Sequence, residues 1–253
     1  MKFSIIIPSY NQPSYISETL ENLINLKITA RKKNIFIELL LFDNCSDEKT
    51  QLIIEKYRSD IDFIEIKKDM GQYDAINKGI QKASGDYWTW LNTDDLIDEE
   101  GFFKLEQVLQ SNQEIDYIYG GIKYMNDESK YLFTCSAKPL TLNYLINKNS
   151  GIFQPGSFFK VSFTEKIGNL KEYTCCFDYE YILRCLKNNA NFYCCNFPLA
   201  SFRYYNESKT GKLMPVFIME QLQISASYGR KVLSFLTWFS HLRLLKHKLF
   251  PRK

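Results

Sequence analysis

The stretch TWLNTDDL, residues 89–96, ends an aromatic apolar run on two adjacent carboxylates, Asp94 and Asp95, with Asn92 just ahead. Neighbouring anions repel, and burying them unpaired is costly. A shared divalent cation would relieve both, because Mg2+ or Mn2+ prefers oxygen ligands and is typically held by one or two carboxylates plus substrate phosphates. Two absences sharpen this. The first apolar run ends in PSYNQ, not in a glycine-rich GxGxxG turn, and no GxxxxGK[ST] segment occurs. A phosphate ligand would therefore need its charge met by something other than a glycine-loop cradle. Taken alone, the same residues also suit a helix start, with Asn92, Thr93 or Asp95 as cap and the acids favouring the positive end of the helix. Asp43-Asn44 is equally compatible with a simple turn before a Ser46 cap.

The elements that must position these groups are legible from apolar periodicity. FSIIIPSYN reads as a buried strand running into a loop, and SYISETLENLINL as a helix with Ile16, Leu20, Leu23 and Leu26 on one side and Ser14 or Ser17 to cap it. IFIELLLFDN, IDFIEIKK and DYWTWLNTDD give three more strands; DEKTQLIIEKYRS and YDAINKGIQKAS give two more helices, the latter closed by Gly85. Strands that alternate with helices and are apolar throughout predict a parallel sheet covered on both faces. Ligands of such sheets sit beyond the carboxyl ends of the strands. The polar residues that follow these strands gather there: Ser9, Tyr10 and Asn11; Asp43 and Asn44; Asp69 and Gly71; Asn92, Asp94 and Asp95. After Gly101 the pattern is less regular, with the helix FFKLEQVLQ followed by the aromatic strands DYIYGGIKYM and KYLFTCSA.

Composition sets the frame. In 253 residues, 45% are hydrophobic and 24% charged, which fits a soluble domain with a sizeable core and argues against disorder. The net charge of +3 is uneven: residues 230–253 hold seven Lys/Arg and no acid, leaving the remainder mildly acidic. Both histidines, His241 and His247, lie in that basic tail, so no histidine-centred site is expected in the body. Seven cysteines, with vicinal pairs at 175–176 and 194–195 and no CxxC, predict reduced thiols in a cytosolic protein. The N-terminal apolar run is too short for a signal peptide, and no stretch of about 18 apolar residues predicts a spanning helix. The tail GRKVLSFLTWFSHLRLLKHKLFPRK places Val232, Phe235, Leu236, Phe239 and Leu242 at helical spacing, with Trp238, Leu245 and Leu249 extending the apolar side. Flanked by bases alone, it predicts a helix lying in a membrane interface of anionic lipid, in preference to one packed on the body. Nucleic acid is not expected, since no nucleic-acid motif accompanies the charge.

The segments FSIIIPSYNQPSYISETLENL, LLLFDNCSDEKT and DMGQYDAINKGIQKASGDYWTWLNTDD resemble the nucleotide-binding half of family 2 glycosyltransferases, which have the GT-A fold. QPGSFFKVSFTEKIGNL, FDYEYILRCL and ASFRYYNESKTG resemble the acceptor half. The similarity runs over about residues 3–211 and is nearest to enzymes of bacterial capsule, O-antigen and exopolysaccharide assembly. It implies a GT-A-like, Rossmann-like α/β fold, a mostly parallel sheet flanked by helices. Residues 1–100 would be the nucleotide-binding half, 101–211 the acceptor half, and 212–253 a basic helical appendage. It also implies that Pro8, Tyr10 and Asp43 line the pocket for base and ribose, and that Asp69, Gly71 and Asp74 lie in the donor segment. Asn92-Thr93-Asp94-Asp95 would stand at the DxD-type motif, with Mn2+ or Mg2+ on Asp95 and Asp94. Asp178 matches the catalytic base, with Glu180 as the fallback. Relatives often carry a histidine where this chain has Tyr205, so that its task would fall to Tyr205, Arg203 or Lys209.

The expectation is thus an inverting, metal-dependent transferase. It would move a sugar from a nucleotide-sugar, UDP- or GDP-linked, to a hydroxyl of a glycan or lipid-linked acceptor. It would sit in the cytoplasm, peripheral at the inner face of the membrane, with room for a homo-oligomer. One rival is a silent nucleotide-sugar-binding protein of the same fold, suggested by Asn92 and Tyr205. A second, a nucleotidyltransferase, would need a glycine-rich, Arg-bearing loop that PSYNQPS does not supply.

Overall fold

The computed structural model describes residues 1–148, 152–205 and 213–249, with side chains through 245. Four strands, β1 (Lys2–Ser9), β2 (Phe36–Asp43), β3 (Phe63–Ile66) and β4 (Tyr87–Trp90), lie parallel in the order β3-β2-β1-β4. Between them run α1 (Ile16–Lys32), α2 (Glu48–Lys56) and α3 (Gln72–Lys82). The apolar runs are continuous because both faces are covered. Ile5 and Ile7 pack with Ile16, Leu20 and Leu23 of α1, while Ile6 points the other way to Tyr73 and Ile76 of α3. Each such buried side chain is worth about 1.5–3 kcal/mol over its exposed state. On α3, Gly79 lets the helix approach β1: a Cβ there would come within 2.4 Å of Ile6 Cγ2.

The second half completes one mixed sheet. In chain order it holds β5 (Leu96–Ile97), α4 (Glu99–Ser111), β6 (Tyr117–Met125), β7 (Tyr131–Cys135), α5 (Leu142–Asn147), β8 (Ser157–Lys160), α6 (Val161–Ile167), α7 (Phe177–Lys187) and β9 (Phe192–Arg203). Then come α8 (Met214–Ser227) and α9 (Phe235–Leu249). β8 runs antiparallel to β4 and β6 antiparallel to β8; β9 lies parallel to β6, and β7 hangs on β6 as an antiparallel edge. The Rossmann-like α/β class and the C-terminal helices are as expected. Parallel pairing is continuous only through β3-β2-β1-β4, and the later half is mixed.

Three local expectations are corrected. Neither Ser14 nor Ser17 caps α1, which begins after Tyr15 without a side-chain cap. α2 is capped by Asp47, which accepts from Thr50 N, and not by Ser46. α3 ends at Lys82, ahead of Gly85. The cysteines form a buried, inert set where they are most enclosed: burial pushes the thiols of Cys176, Cys185 and Cys195 up.

At the amino end of the sheet, Glu38 ties β2 to its neighbours. Its carboxylate accepts from Ser4 Oγ (2.5 Å), Ser84 N (2.6 Å) and Ser84 Oγ (2.6 Å) and pairs with Lys2 Nζ at 2.8 Å. Burial acts to raise this carboxyl, but Lys2, Ser4 and Ser84 overcome it and hold the value at about 2, below the ordinary 4.5. A group depressed on folding stabilises fully above its unfolded value and loses that contribution as pH falls through its folded one. Glu38→Gln is expected to flatten the slope of unfolding free energy against pH between 4.5 and 2, measured by urea unfolding at stepped pH. Equal slopes in parent and variant would contradict this.

Candidate functional site

Beyond the carboxyl ends of the parallel strands, a chain of polar contacts links the loops. Asp43, at the end of β2 and 1% exposed, accepts from Ser9 Oγ (2.8 Å), Ser46 N (2.8 Å) and Ser46 Oγ (2.5 Å). Asn44 Oδ1 accepts from Asp69 N at 3.0 Å, and the Asp69 carboxylate accepts from Gly71 N at 2.9 Å. Gly71 has φ +121°, a conformation that favours glycine, and it starts α3. Asp74 accepts from Met70 N at 3.2 Å and lies 3.5 Å from Lys78. Burial raises the Asp69 carboxyl, which stands near Asp43 and Asp74. Pro8 is buried within β1, whereas Tyr10 is 61% exposed at the rim. The expected donor-side residues therefore do cluster at one end of the sheet. Asp43 is spent on shaping the loop, and Tyr10 alone of the three base-and-ribose candidates is openly presented.

Asp94 and Asp95 follow β4 without starting a helix. α4 begins later and is capped by Asp98, which accepts from Gly101 N at 2.8 Å, so Asn92, Thr93 and Asp95 are not its caps. Asp95 is 1% exposed; its carboxylate accepts from Arg203 N (3.1 Å) and from Asn92 Nδ2 (3.2 Å). Asp94 accepts from Tyr205 Oη at 2.8 Å, and Gln12 Nε2 donates to that hydroxyl at 3.0 Å. Burial raises the Asp94 carboxyl against the Tyr205 hydrogen bond; burial, then the Asp94 charge, drives Asp95 well up. Both acids thus lie where a further cation would lower the cost of ionising them. Their hard oxygen donors fit Mg2+ or Mn2+ held jointly with a diphosphate. Among the described residues no group of three or more His, Cys, Asp or Glu is placed to hold a metal.

Arg203, one of the three residues to which the task of the relatives' histidine could fall, is turned inward. Its side chain is 0% exposed. It pairs with Glu18 at 2.6 Å, donates to the carbonyls of Asp94, Asn126 and Asp127 and to Ser129 Oγ, and stacks 4.3 Å over Tyr15. With its donors consumed, it fixes the acidic loop to β9 and α1. Lys209 lies outside the described residues.

Asp178 sits in the first turn of α7, where its carboxylate accepts from Tyr179 N at 2.7 Å; the residue preceding α7 is Cys176, so Asp178 is not its cap. With Asn92, Gln72, Gln154, Trp90, Tyr124 and Phe202 it lines a cavity of about 270 Å³. Strand β4 and helix α7 thereby bring the acidic loop and Asp178 to one space. Glu180 does not reach it: 1% exposed, it pairs with Lys171 (2.9 Å) and Arg184 (3.0 Å) and accepts from Tyr228 Oη (2.9 Å), which removes it as fallback base. Sequence reasoning missed Gln72 and Gln154. Gln72 Nε2 donates to Asn92 Oδ1 at 2.6 Å, and Gln154 Nε2 donates to Trp90 O at 2.7 Å, so the two amides brace the floor of the cavity. No spacing rule marks a lone glutamine, and only the fold could place them.

Residues 4–168 match the sequence model described as glycosyl transferase family 2. Among curated proteins, the chain is 27% identical over 176 residues to a poly-beta-1,6-N-acetyl-D-glucosamine synthase of Staphylococcus aureus, covering 65% of this chain and 41% of that one. It is 23% identical over 202 residues to an uncharacterized glycosyltransferase of Methanocaldococcus jannaschii, covering 75% of this chain and 66% of the other. The chain thus spans about two-fifths of the length of the synthase it matches. Among solved structures, S. aureus TarS residues 1–349 with UDP-GlcNAc gives a TM-score of 0.69 at 18% identity, covering 100% of this chain and 76% of that one. The mannosyltransferase PcManGT of Pyrobaculum calidifontis, with GDP-Man and Mn2+, gives 0.65 at 12% identity, covering 99% and 76%. At such identities the structural likeness is one of fold.

Removing one partner from a buried, hydrogen-bonded charge leaves the other groups uncompensated. Arg203→Met is expected to cost about 2–4 kcal/mol of stability, discounted for the partial exposure of Glu18. Arg203→Lys, which cannot supply the forked donors, should recover less than half of it. Urea unfolding of the three proteins checks this; a stable lysine variant would show that charge alone suffices.

Proposed function

The chain belongs to glycosyl transferase family 2, and on that premise we propose that it moves a sugar from a nucleotide-sugar to a hydroxyl of a glycan or lipid-linked acceptor, with inversion, in bacterial surface-polysaccharide synthesis. The single observation that carries the proposal is the cavity shared by Asn92 of the acidic loop and Asp178 of α7. On this view residues 1–100 serve the donor and 101–211 the acceptor. Tyr10, Asp69, Gly71 and Asp74 lie along the donor side, with Pro8 and Asp43 shaping the strand ends beneath them.

The chemistry follows from the groups present. The acceptor oxygen attacks the anomeric carbon as the bond from that carbon to the diphosphate oxygen breaks. The electron pair leaves with the nucleoside diphosphate, and the acceptor proton passes to the Asp178 carboxylate. Attack opposite the leaving group inverts the anomeric configuration. Asp94, the less enclosed of the pair, and Asp95 behind it would hold Mn2+ or Mg2+, which when bound supplies Lewis-acid stabilisation to the departing diphosphate. Tyr205 orients Asp94 through its 2.8 Å hydrogen bond, and Asn92 is held between Gln72 and Asp95. Trp90, Tyr124, Phe177 and Phe202 give the cavity an aromatic lining.

Membrane association is a further part of the proposal. On α9, Leu236 and Ser240 are buried against the body, while Phe235, Trp238, Phe239, Leu242 and Leu245 remain 43–62% exposed. Just ahead, Val232 and Leu233 are 80% and 98% exposed. An exposed apolar face this size, with Arg230, Lys231 and Arg243 near it, suits an anionic lipid surface. No helix among the described residues is long and apolar enough to cross a membrane.

Two measurements test these statements. In a thermal-shift panel, UDP- and GDP-linked sugars, the nucleotide types carried by the solved TarS and PcManGT complexes, are expected to raise Tm more with Mn2+ than without. Asp178→Asn should keep that shift yet lose about 10²–10⁴ of the rate of nucleoside diphosphate release. A parent that binds donor but never turns over would instead favour a silent binding protein. Separately, co-sedimentation with phosphatidylglycerol vesicles should pull down the full chain and fall at least tenfold in Leu233→Glu/Trp238→Glu, whose donor-induced shift should be unchanged. Equal sedimentation of both proteins would refute the membrane assignment.

A further inference from the structure

Helix α8 grips the helix that carries Asp178 at two points. On one side, Glu220 Oε1 accepts from Thr174 N at 2.7 Å, and Oε2 accepts from Cys175 N at 2.8 Å and Cys176 N at 3.0 Å. These three amides immediately precede α7, whose N-cap residue, Cys176, offers no side-chain cap of its own. A single remote carboxylate therefore satisfies the entry to the helix, at the end where the helix dipole favours an anion. Cys176 Sγ adds a contact of 3.4 Å to the carbonyl of Phe217, one turn earlier on α8. On the other side, Tyr228, just past α8, donates to Glu180 at 2.9 Å. Asp178 lies between these two anchors, two residues from each.

We propose that Glu220 is a positioning residue for the transfer reaction: by gathering the amides of residues 174–176 it fixes where the Asp178 carboxylate stands. The inference rests on the assignment of Asp178 as base, and it makes α8 part of the catalytic machinery instead of a dispensable appendage. Three amides bound to one carboxylate leave the segment little freedom, whereas without Glu220 they would turn to water and the first turn of α7 would fray. A base displaced by about 1 Å loses on the order of 10²-fold in rate, because the near-attack geometry is lost while the binding of substrate elsewhere is not. Phe217 and Asp178 line the same cavity, so α8 also contributes to its wall. Glu220 itself lines a different space, a second cavity that it shares with Gly71, Gln72 and Tyr173. It therefore acts on the reaction through the backbone of α7.

The test uses the full chain, with the UDP- or GDP-sugar giving the largest thermal shift as donor and the matching nucleoside diphosphate as binding probe. Nucleoside diphosphate release is measured for parent, E220A, E220Q and D178N, and the sites per chain are counted by calorimetric titration. Release per counted site should fall about 10²-fold in E220A, with donor KM and stoichiometry held. E220Q, which keeps a carbonyl oxygen for two of the three amides, should fall only about tenfold. A loss of activity matched by a loss of binding sites would mark a purely structural role and overturn the proposal. So would an E220A rate per site equal to the parent's. Should E220A not fold, E220Q decides, and parental release per site in E220Q overturns the proposal. D178N separates the premises: if it retains parental release, the assignment of the base fails; if it is silent while E220A and E220Q match the parent, only the role of Glu220 fails.

Discussion

Two adjacent carboxylates at the end of β4, Asp95 buried and Asp94 partly so, must be compensated, and much of the nearby architecture supplies that compensation. Asp95 cannot reach solvent, so the backbone amide of Arg203 and the side chain of Asn92 meet its oxygens. Arg203, itself sealed from solvent, is stitched to α1 through Glu18 and to the β6–β7 turn through the carbonyls of Asn126 and Asp127. The acidic loop is thereby fastened to β9, to α1 and to the hairpin at once. Burial raises both acids, and at Asp95 the neighbouring Asp94 charge adds to it. A cation shared by the pair would offset that cost, which is why the proposed function places one there.

The first half of the fold was legible because a strand buried on both faces must be apolar at every position. IIIP and LLLF leave no room for a solvated face, and Ile5, Ile6 and Ile7 divide between two cores as that reasoning requires. The gathering of Asp43, Asp69, Asn92, Asp94 and Asp95 at one end followed from the parallel order. The second half was less legible, since the aromatic residues of β8 and β6 fit a strand whether it runs parallel or antiparallel to its neighbours. Helix caps were misassigned because several Ser, Asp and Asn residues crowd each junction, and only tertiary contacts decide which one is used. Arg203 shows the harder limit. A lone arginine in a polar stretch carries no sign that it will be wholly enclosed, because its enclosure depends on residues 18 and 126–129, far away in the chain.

The tail shows how one amphipathic pattern can serve packing and still leave apolar surface over. Helical spacing of apolar residues predicts a sticky face, and α9 uses one edge of it, through Leu236 and Ser240, to pack on the body. The same helix keeps Trp238, Leu242 and Leu245 outward. Its apolar surface is too wide for one packing contact, and the excess is what suggests lipid. Because α9 rests on α8 through Arg243 and Met214, and α8 holds the entry to α7, a surface that seats α9 would also seat the helix carrying Asp178. If the proposed function holds and the acceptor is lipid-linked, such an arrangement would set the distance between Asp178 and the plane from which the acceptor hydroxyl arrives.

Asn92 and Tyr205 are the two features that suggest a silent protein, and the contacts they make argue the opposite. An acid at position 92 would face the buried Asp95 carboxylate and add a third negative charge to a site already short of positive ones. Asparagine instead donates to Asp95 and accepts from Gln72, so it organises the loop while lowering the charge a cation must offset. Tyr205 serves Asp94 likewise, with a neutral hydroxyl that Gln12 orients. A chain drifting away from catalysis would have no reason to keep such a hydrogen-bonded network, nor to hold a carboxylate on α7 in the same cavity as Asn92. Asn92 and Tyr205 thus hold the loop by neutral hydrogen bonds, so that two carboxylates, and not three, face any cation the proposed reaction would use.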